Sequence, residues 1–331
     1  MVSQFIRHIT KLTLVAGAFA LATSPVCAQT AAFPEKTVKI LVPFAPGGAS
    51  DVMTRQIAEG LREIWQQPVI VDFKPGASGI VAADAVAKAD PDGYTALIHV
   101  SGMVLLPALN NKVPFDPLKD FAPVSQVATM ALAYVASPSL EVKNLAEFIA
   151  LAKSKPGQYN YGSFGAGSAG HLYMEILKDA AGLDIFHVPY KGEQPVLTEL
   201  LGGHISTGIV SLPGAVPYAN SGKVVPLAVT GPIRTQQLPN TPTFIESGFR
   251  APGLESISWY AVFLPAKTPK HIVQKFSNDL KIVLAKPEIR QRMQDYGITM
   301  TGTTPEELGE MMKVDSARWT KVIQEKHIRL E

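Results

Sequence analysis

The chain has 331 residues, of which 47% are hydrophobic and 18% are charged, a composition that supports packed cores and excludes a disordered chain. Lys and Arg number 30 against 28 Asp and Glu, and this near balance excludes a strongly basic protein that binds nucleic acid through its charge. The single Cys excludes a disulfide framework.

Residues 1–28 are predicted to form a cleavable secretory signal peptide. The segment begins with basic residues, continues with the short apolar run 12–21 and ends on a small-residue cleavage site at 26–28. The apolar run is too short for a stable membrane span. Cleavage would remove the only Cys, so we expect a mature periplasmic protein without a Cys nucleophile, a Cys–zinc site or a disulfide.

The rest of the chain alternates between strand and helix patterns, beginning with a β-α-β-α-β run. Its predicted elements are a strand over 36–43, a helix over 50–67, a strand over 68–73, a helix over 79–89 and a strand over 94–100. Such alternation predicts a parallel sheet covered by helices.

A second α/β run begins near residue 145. Its predicted helices are 145–155, 169–181 and 194–201, and its predicted strands are 159–163, 185–189, 205–210, 224–229 and 257–264. The tail carries a helical apolar face over 272–284, then a helix from a capping box at Thr304 and Glu307 to about Ile323. Two similar halves predict two lobes with a cleft between them. Ligands of open α/β sheets bind beyond the carboxyl ends of strands, so the loops there are candidate sites.

Two loops of the first half combine glycine with the start of a helix. The loop 43–51 contains Gly47 and Gly48, which allow backbone amides to approach a ligand closely, and Ser50, which offers a hydroxyl. The free N–H donors of a helix N-terminus attract anions. The loop 74–79 repeats this arrangement. For both loops, a tight strand-to-helix turn without function is the alternative.

A third loop, 161–171, supports three hypotheses. Gly165, Gly167 and Gly170 have the spacing of the dinucleotide fingerprint, but the preceding strand is polar and the protein is predicted to be exported. We therefore favour a small-anion site in which Ser163 and Ser168 donate hydroxyls. Ser168 also lies in a segment one residue short of the G-x-S-x-G nucleophile elbow, so a secreted serine hydrolase is the second alternative.

Four other side chains are candidates for the same site. His171 is expected to be neutral at its helix N-terminus and to orient a ligand or the loop, since Glu175 alone does not complete a metal site with it. Lys191 offers a point charge to a carboxylate, and Tyr190 offers a hydroxyl or a ring face. For Trp259 we favour core packing, with pocket lining as the alternative.

Together these motifs resemble the extracytoplasmic solute-binding proteins of tripartite tricarboxylate transporters, the Bug family. The resemblance extends from about residue 33 to the C-terminus. The motifs that carry it are VPFAPGGASDVMTR at 42–55, KPGASGIVAAD at 74–84, DPDGYT at 90–95, NYGSFGAGSAGHL at 160–172, VPYKG at 188–192, PLAVTG at 226–231, LPNTPTF at 238–244 and SWYAVFLPAKTP at 258–269.

The resemblance implies an α/β, type II periplasmic-binding fold of two lobes with a ligand cleft between them. It places lobe one at 33–133 plus 257–331 and lobe two at 134–256. It also implies a periplasmic monomer without enzymatic activity, cofactor, metal or nucleic-acid partner. Such a protein captures a small di-, tri- or aromatic carboxylate and delivers it to the membrane permease subunits of the transporter. A sensor or regulatory ligand-binding protein is the alternative.

Residues on both sides of the cleft are assigned to the ligand by the same resemblance. Those of lobe one are Pro46, Gly47, Gly48, Ala49, Ser50 and Asp51. Those of lobe two are Ser163, Gly165, Gly167, Ser168 and His171, with Tyr190, Lys191 and Gly192 closing the second side.

The chain departs from the family pattern after Gly202-Gly203. Where many members carry an Asp and then a second polar or acidic residue, this chain has Ser206 and Val210. The lobe-two wall is therefore predicted to be less acidic than usual, which argues against a ligand with an ammonium group because a buried cation needs a partner. We expect a purely anionic ligand, with an aromatic or alkyl body against Phe44, Tyr190 and Trp259.

Overall fold

The computed structural model describes residues 33–109, 112–251 and 253–325. From Lys36 onward the chain forms one unit, and the described residues before it belong to a separate N-terminal unit. The predicted signal peptide, 1–28, lies outside the described residues. Among the described helices, none combines the length and the hydropathy that a membrane span requires.

Strands and helices alternate along the described chain. The strands are β1 (Val38–Val42), β2 (Val69–Phe73), β3 (Thr95–Val100), β4 (Phe121–Met130), β5 (Leu132–Ala136), β6 (Asn160–Ser163), β7 (Phe186–Pro189), β8 (Thr207–Ser211), β9 (Val225–Val229), β10 (Ser258–Pro265) and β11 (Ile298–Met300). The helices are α1 (Ala49–Trp65), α2 (Ile80–Ala87), α3 (Leu106–Leu109), α4 (Leu145–Ser154), α5 (Ala169–Ala181), α6 (Glu193–Leu201), α7 (Leu212–Asn220), α8 (Lys270–Ala285), α9 (Pro287–Asp295) and α10 (Pro305–Glu325).

The strands form two sheets. The first has the order β11-β4-β10-β3-β1-β2, and the second has the order β7-β6-β8-β5-β9. In the first sheet β1 is parallel to β2 and β3, and in the second β6 is parallel to β7 and β8. Because parallel strands end at the same edge, the loops after β1 and β2 lie together, and so do those after β6 and β7.

Most of the predicted elements are present within one or two residues of their predicted bounds, and the predicted helix 169–181 is α5 itself. The sequence analysis missed β4 and β5, which are joined only by Ala131 although they belong to different sheets. All five residues of β5 are buried, so it lacks the alternation that marks a half-buried strand. The predicted lobe boundary at 133/134 falls inside this strand.

Helix α1 packs against α8 at a glycine. Gly60 lies in the interior of α1, and a Cβ built there would lie 2.5 Å from Cγ1 of Val283. Nearby, the indole N–H of Trp65 donates to the carboxylate of Asp279, which also accepts from Lys275 at 2.8 Å. The absence of a side chain at Gly60 is what allows the two helices to come this close.

We expect Gly60→Ala to destabilise the fold by about 1 to 2 kcal/mol, although alanine is the better helix former by roughly 1 kcal/mol, because overpacking of this kind costs typically 1–3 kcal/mol. Denaturant unfolding of Gly60→Ala, Val283→Ala and the double variant measures this. The double variant should be more stable than the two single losses together imply, since Val283→Ala removes the clashing methyl group. Additive losses would contradict the proposed clash.

Candidate functional site

Four loops, two from each sheet, meet in direct contact. The amide of Ala45, after β1, donates to the carbonyl of Lys191 at 3.4 Å, and the side-chain amide of Gln194 donates to the carbonyl of Gly47 at 3.0 Å. The hydroxyl of Ser78, after β2, donates to the carbonyl of Ala166, after β6. We call the space that these loops enclose the interloop cleft.

Glycines occupy the points of closest approach. Gly165 has φ +143°, and a Cβ there would lie 2.6 Å from Oγ of Ser78. Gly192 has φ +145°, and its Cβ would lie 3.1 Å from the amide nitrogen of Ala45. Both the backbone angle and the contact therefore require glycine at these two positions.

The loop after β2 is strained as well as close. Residues 76–79 all have positive φ, and two of them, Ala77 at 45° and Ser78 at 55°, are not glycine. Each such residue costs of order 1–3 kcal/mol and persists only where its surroundings hold it. Because the hydroxyl of Ser78 bonds across the cleft to Ala166, this strain is coupled to the contact between the loops.

The larger cavity of the cleft has a volume of about 340 Å³. It is lined by residues 43–44, 76–80, 164–166 and 189–191, so each of the four loops contributes. This volume is in the range of small-molecule sites. Lys191 is the one charged side chain among these lining residues, which makes the cavity suitable for an anion.

A smaller cavity of about 30 Å³ lies at the N-terminus of α1. The rings of Phe44 and Phe164 line both cavities and meet edge to face with their centroids 6.0 Å apart. Residues 48–50, Glu193 and Tyr260 complete the polar side of the smaller cavity. Its size corresponds to roughly one small polar group.

The N-terminus of α1 has free donors there. Gly48 is its N-cap and provides no side-chain cap, and the amides of the first helical residues, Ala49 and Ser50, have no intrahelical acceptor. The carboxylate of Asp51 accepts from the amide of Gly47 at 2.9 Å and from Arg55. Asp51 therefore holds the loop in shape, while the helix end supplies donors and a partial positive charge.

Side chains of the third loop bond mainly to the loop itself. Ser168 caps α5 by accepting from the amide of His171 at 3.3 Å, and Nδ1 of His171 accepts from the amide of Gly167 at 3.0 Å. The hydroxyl of Ser163, which is fully buried, lies 2.7 Å from Nε2 of His187. The rings of His171 and His187 are stacked with their centroids 4.1 Å apart.

The Ser163–His187 pair is unsuited to nucleophilic catalysis. Burial, followed by the neighbouring His171 and Lys178, lowers the pKa of His187 to about 3. A general base for hydrolysis needs a pKa near the working pH, and Ser163 is inaccessible. Ser168, the serine of the hydrolase hypothesis, serves as a helix cap.

The structure distributes the predicted site residues over three kinds of position. Gly165, Tyr190 and Lys191 line the larger cavity, and Gly48, Ala49 and Ser50 line the smaller one. Asp51, Ser163, Gly167, Ser168 and His171 are buried in hydrogen bonds that shape the loops. Pro46 and Gly47 are exposed, and Gly192 packs against Ala45. Their contacts with a ligand stay a prediction.

Two expectations about the cleft wall do not agree with the structure. The indole N–H of Trp259 donates to Asp315 of α10 at 2.6 Å, and the ring lines neither cavity. The core packing favoured for Trp259 is therefore confirmed, whereas its expected contact with the body of the ligand is not. The next residue, Tyr260, does face the smaller cavity because side chains alternate along a strand. Ser206 precedes β8 and bonds to Asn160, the first residue of the parallel strand β6. It therefore lies at the sheet edge opposite the loop that follows Ser163.

Sequence reasoning missed Glu193 as a cleft residue. It opens α6 directly after Gly192, it is 9% exposed, and it lines the smaller cavity. Burial raises the pKa of Glu193, and hydrogen bonds from Ser211 act in the opposite direction. In the sequence Glu193 directly follows Gly192, one of the predicted ligand-binding residues, and that position was the overlooked signal.

Comparison with known proteins agrees with this geometry. Residues 53–328 match the model of the tripartite tricarboxylate transporter family receptor. Protein BugT of Bordetella pertussis is 31% identical over 98% of this chain and 100% of its own length. A protein from the tcbD-tcbE intergenic region of Pseudomonas sp. strain P51 is 33% identical over 97% of this chain and 96% of its own.

Solved structures confirm the predicted α/β periplasmic-binding fold. BugD, a periplasmic binding protein, has a TM-score of 0.86 at 30% identity and covers 90% of this chain and 100% of its own. An R. palustris protein with adipate has a TM-score of 0.85 at 34% identity and covers 90% of this chain and 100% of its own. MatC from Rhodopseudomonas palustris with bound malate has a TM-score of 0.83 at 30% identity and covers 88% of this chain and 100% of its own. The chain belongs to the tripartite tricarboxylate transporter receptors, the Bug family of periplasmic solute-binding proteins.

Proposed function

We propose that this protein captures a small carboxylate anion in the interloop cleft, in the periplasm, and delivers it to the permease subunits of a tripartite transporter. The observation that carries the proposal is the convergence of four loops from two sheets on one cavity with Lys191 in its lining. The relatives solved with adipate and with malate support a carboxylate as the ligand class.

The donors of the cleft suffice for micromolar binding. A helix N-terminus contributes roughly 0.3–1 kcal/mol to an anion, and up to about 2 kcal/mol when partly buried. Hydrogen bonds to a charged group add about 1.5–3 kcal/mol each. The uncapped end of α1 together with a few backbone amides and hydroxyls can reach the roughly 8 kcal/mol of micromolar affinity.

The two sheets are proposed to be the cores of two lobes in a protein that acts as a monomer. The lobes follow the predicted division into 33–133 plus 257–331 and 134–256, except that we propose the first boundary at Ala131, so that β5 stays whole. Three observations support the division. Strand β4 belongs to the first sheet and β5 to the second, with Ala131 between them. The chain returns to the first sheet with β10, and β11 joins that sheet too. A transporter receptor of this form would release its ligand when the lobes separate.

A thermal-shift screen against di-, tri- and aromatic carboxylates tests the proposed function. A ligand that binds only the folded state raises the melting temperature, and at 100 times its Kd it stabilises by about 2.7 kcal/mol. The matched controls are the neutral amides of the same acids, which keep the shape and lose the charge. The proposal fails if no carboxylate raises the melting temperature, or if amides raise it equally.

We expect Ser168→Ala to lower the free energy of unfolding by about 1 kcal/mol, because the change removes the N-cap of α5. Denaturant unfolding measures this loss. In the same samples, hydrolysis of a chromogenic ester should be indistinguishable from the buffer rate for both proteins. Turnover by the unmodified protein that Ser168→Ala abolishes would instead establish the serine hydrolase.

A further inference from the structure

Glu193 brings a buried carboxyl group into the smaller cavity from the side of the second sheet. Facing it across that cavity are the N-terminus of α1 at residues 48–50 and the hydroxyl of Tyr260 on β10. The two sheets therefore contribute opposite walls. A carboxylate placed in this cavity would meet the free amides of α1 on one side and the Glu193 carboxyl on the other.

The hydrogen bonds of Glu193 define what it can offer to such a ligand. Oε2 accepts from the amide of Ser211 and Oε1 accepts from its hydroxyl, both at 2.7 Å. That hydroxyl itself accepts from the amide of Gly214 at 3.2 Å, so its own proton is the one directed at Glu193. Both Glu193 oxygens therefore accept from Ser211, and each keeps a second lone pair that can carry the proton when the carboxyl is neutral.

Among the residues that the structure describes, no cation compensates the charge of an ionised Glu193. No ion pair among the described residues includes it. From β10 it faces Tyr260, whose pKa is raised by burial and then by Glu193, so this phenol stays neutral. From α1 it faces the hydroxyl of Ser50, and from α7 the backbone of Gly214. Lys191, two residues away on its own segment, is exposed.

We propose that Glu193 is a specificity-determining residue that binds one ligand carboxylate in its protonated form, so that capture of the anion is coupled to the uptake of one proton. The inference rests on the proposed function. A neutral carboxyl donates a hydrogen bond to the ligand carboxylate, whereas an ionised one would repel it inside a desolvated site. Protonated Glu193 thus selects a fully anionic partner, and the ionised form would select a cationic one.

Binding of the carboxylate and protonation of Glu193 favour each other. A bound carboxylate stabilises the protonated form, so the pKa of Glu193 is higher in the complex than in the free protein. Burial already raises the pKa in the free protein. Between these two pKa values affinity falls by about tenfold for each unit of rising pH, and up to one proton is taken up for each ligand bound.

Calorimetry with adipate and malate as probes tests this coupling. Titrations between about pH 6.5 and about pH 8.5 keep the carboxylates of both probes ionised. Repeating each titration in two buffers with different ionisation enthalpies gives the number of protons exchanged. We compare the unmodified protein with Glu193→Gln, and with Glu199→Gln as a matched control, because Glu199 is a more exposed glutamate on the same helix.

The unmodified protein and Glu199→Gln should take up a proton on binding and lose affinity as pH rises. Glu193→Gln, whose amide N–H₂ remains a donor at every pH, should bind without proton uptake and with an affinity independent of pH. If Glu193→Gln does not fold, the number of protons that the unmodified protein takes up on binding tests the inference by itself.

Carboxylate binding without proton uptake, or affinity that increases with pH, would overturn the inference and leave the proposed function standing. Equal proton uptake by Glu193→Gln would also overturn it. If no carboxylate of the thermal-shift screen binds at any pH, it is the proposed function that fails.

Discussion

Replacing Gly165 with alanine is expected to weaken carboxylate binding by about ten- to a hundredfold. A side chain at this position meets the hydroxyl of Ser78 at 2.6 Å and has to adopt a φ of +143°. The Ser78 hydroxyl can turn away from the new Cβ, but the backbone of residue 165 also has to change its angle, and we expect the two loops to move apart. Separation breaks the hydrogen bond from Ser78 to the carbonyl of Ala166 and opens the cavity that both loops line. The cost therefore appears in ligand affinity.

Gly182→Ala is the matched control for this variant. Gly182 is the C-cap of α5 with φ +61°, and a Cβ there would meet no atom within 4 Å. Gly182→Ala should lose about 1 kcal/mol of stability because alanine is strained at this backbone angle, and it should keep its affinity for the carboxylate. Calorimetry with a carboxylate from the screen and denaturant unfolding measure the two quantities. Equal affinities of Gly165→Ala and Gly182→Ala would contradict a role for the contact between the loops.

Acid should destabilise the fold through buried histidines, and His99 is one of them. It is 1% exposed at the end of β3, its Nδ1 accepts from the amide of Val100 at 2.9 Å, and burial lowers its pKa to about 4. The unfolded chain takes up this proton near pH 6.5, whereas the folded protein does not until about pH 4. Stability due to His99 is therefore complete above pH 6.5 and decreases by about 3 kcal/mol as pH falls to 4.

Denaturant unfolding between pH 7 and pH 4 checks this expectation. His99→Asn removes the titration and keeps an acceptor near the position of Nδ1, so its stability should change less with pH than that of the unmodified protein. The same slope in His99→Asn as in the unmodified protein would exclude His99 as a cause. His187, with its pKa of about 3, acts in the same direction.

Local signals determined a large part of the fold. The helix predicted over 169–181 is α5 with the same bounds, and in the structure Ser168 caps its start and Gly182 ends it. The helix predicted from Thr304 and Glu307 is α10, and its capping box is present: each residue's amide donates to the other's side chain. Such features depend on residues three or four positions apart, so they can be recognised in one sequence.

The loops of the site were also predictable as loops. Glycines after β1, β2 and β6 indicated places where backbone approaches something closely, and the cleft is built from those segments. Part of what approaches them proved to be the opposite loop, as Gly165 against Ser78 shows. A glycine in a sequence indicates that space is needed. It does not indicate whether a ligand or another backbone fills that space.

What only the tertiary structure decided is which side chains face the cleft. Trp259 and Tyr260 are adjacent, yet one bonds to Asp315 behind the sheet and the other lines the smaller cavity. Ser206 was predicted to lie in the lobe-two wall of the cleft, but it lies at the sheet edge opposite the loop that follows Ser163. Glu193 was not predicted there, and it is buried in that wall. The sequence by itself determined the family, the alternation of strands and helices and the loops that carry the site. Which side chains face the cleft, which are buried and how the two sheets come together depend on contacts between residues far apart in the chain. No local sequence pattern indicates those contacts.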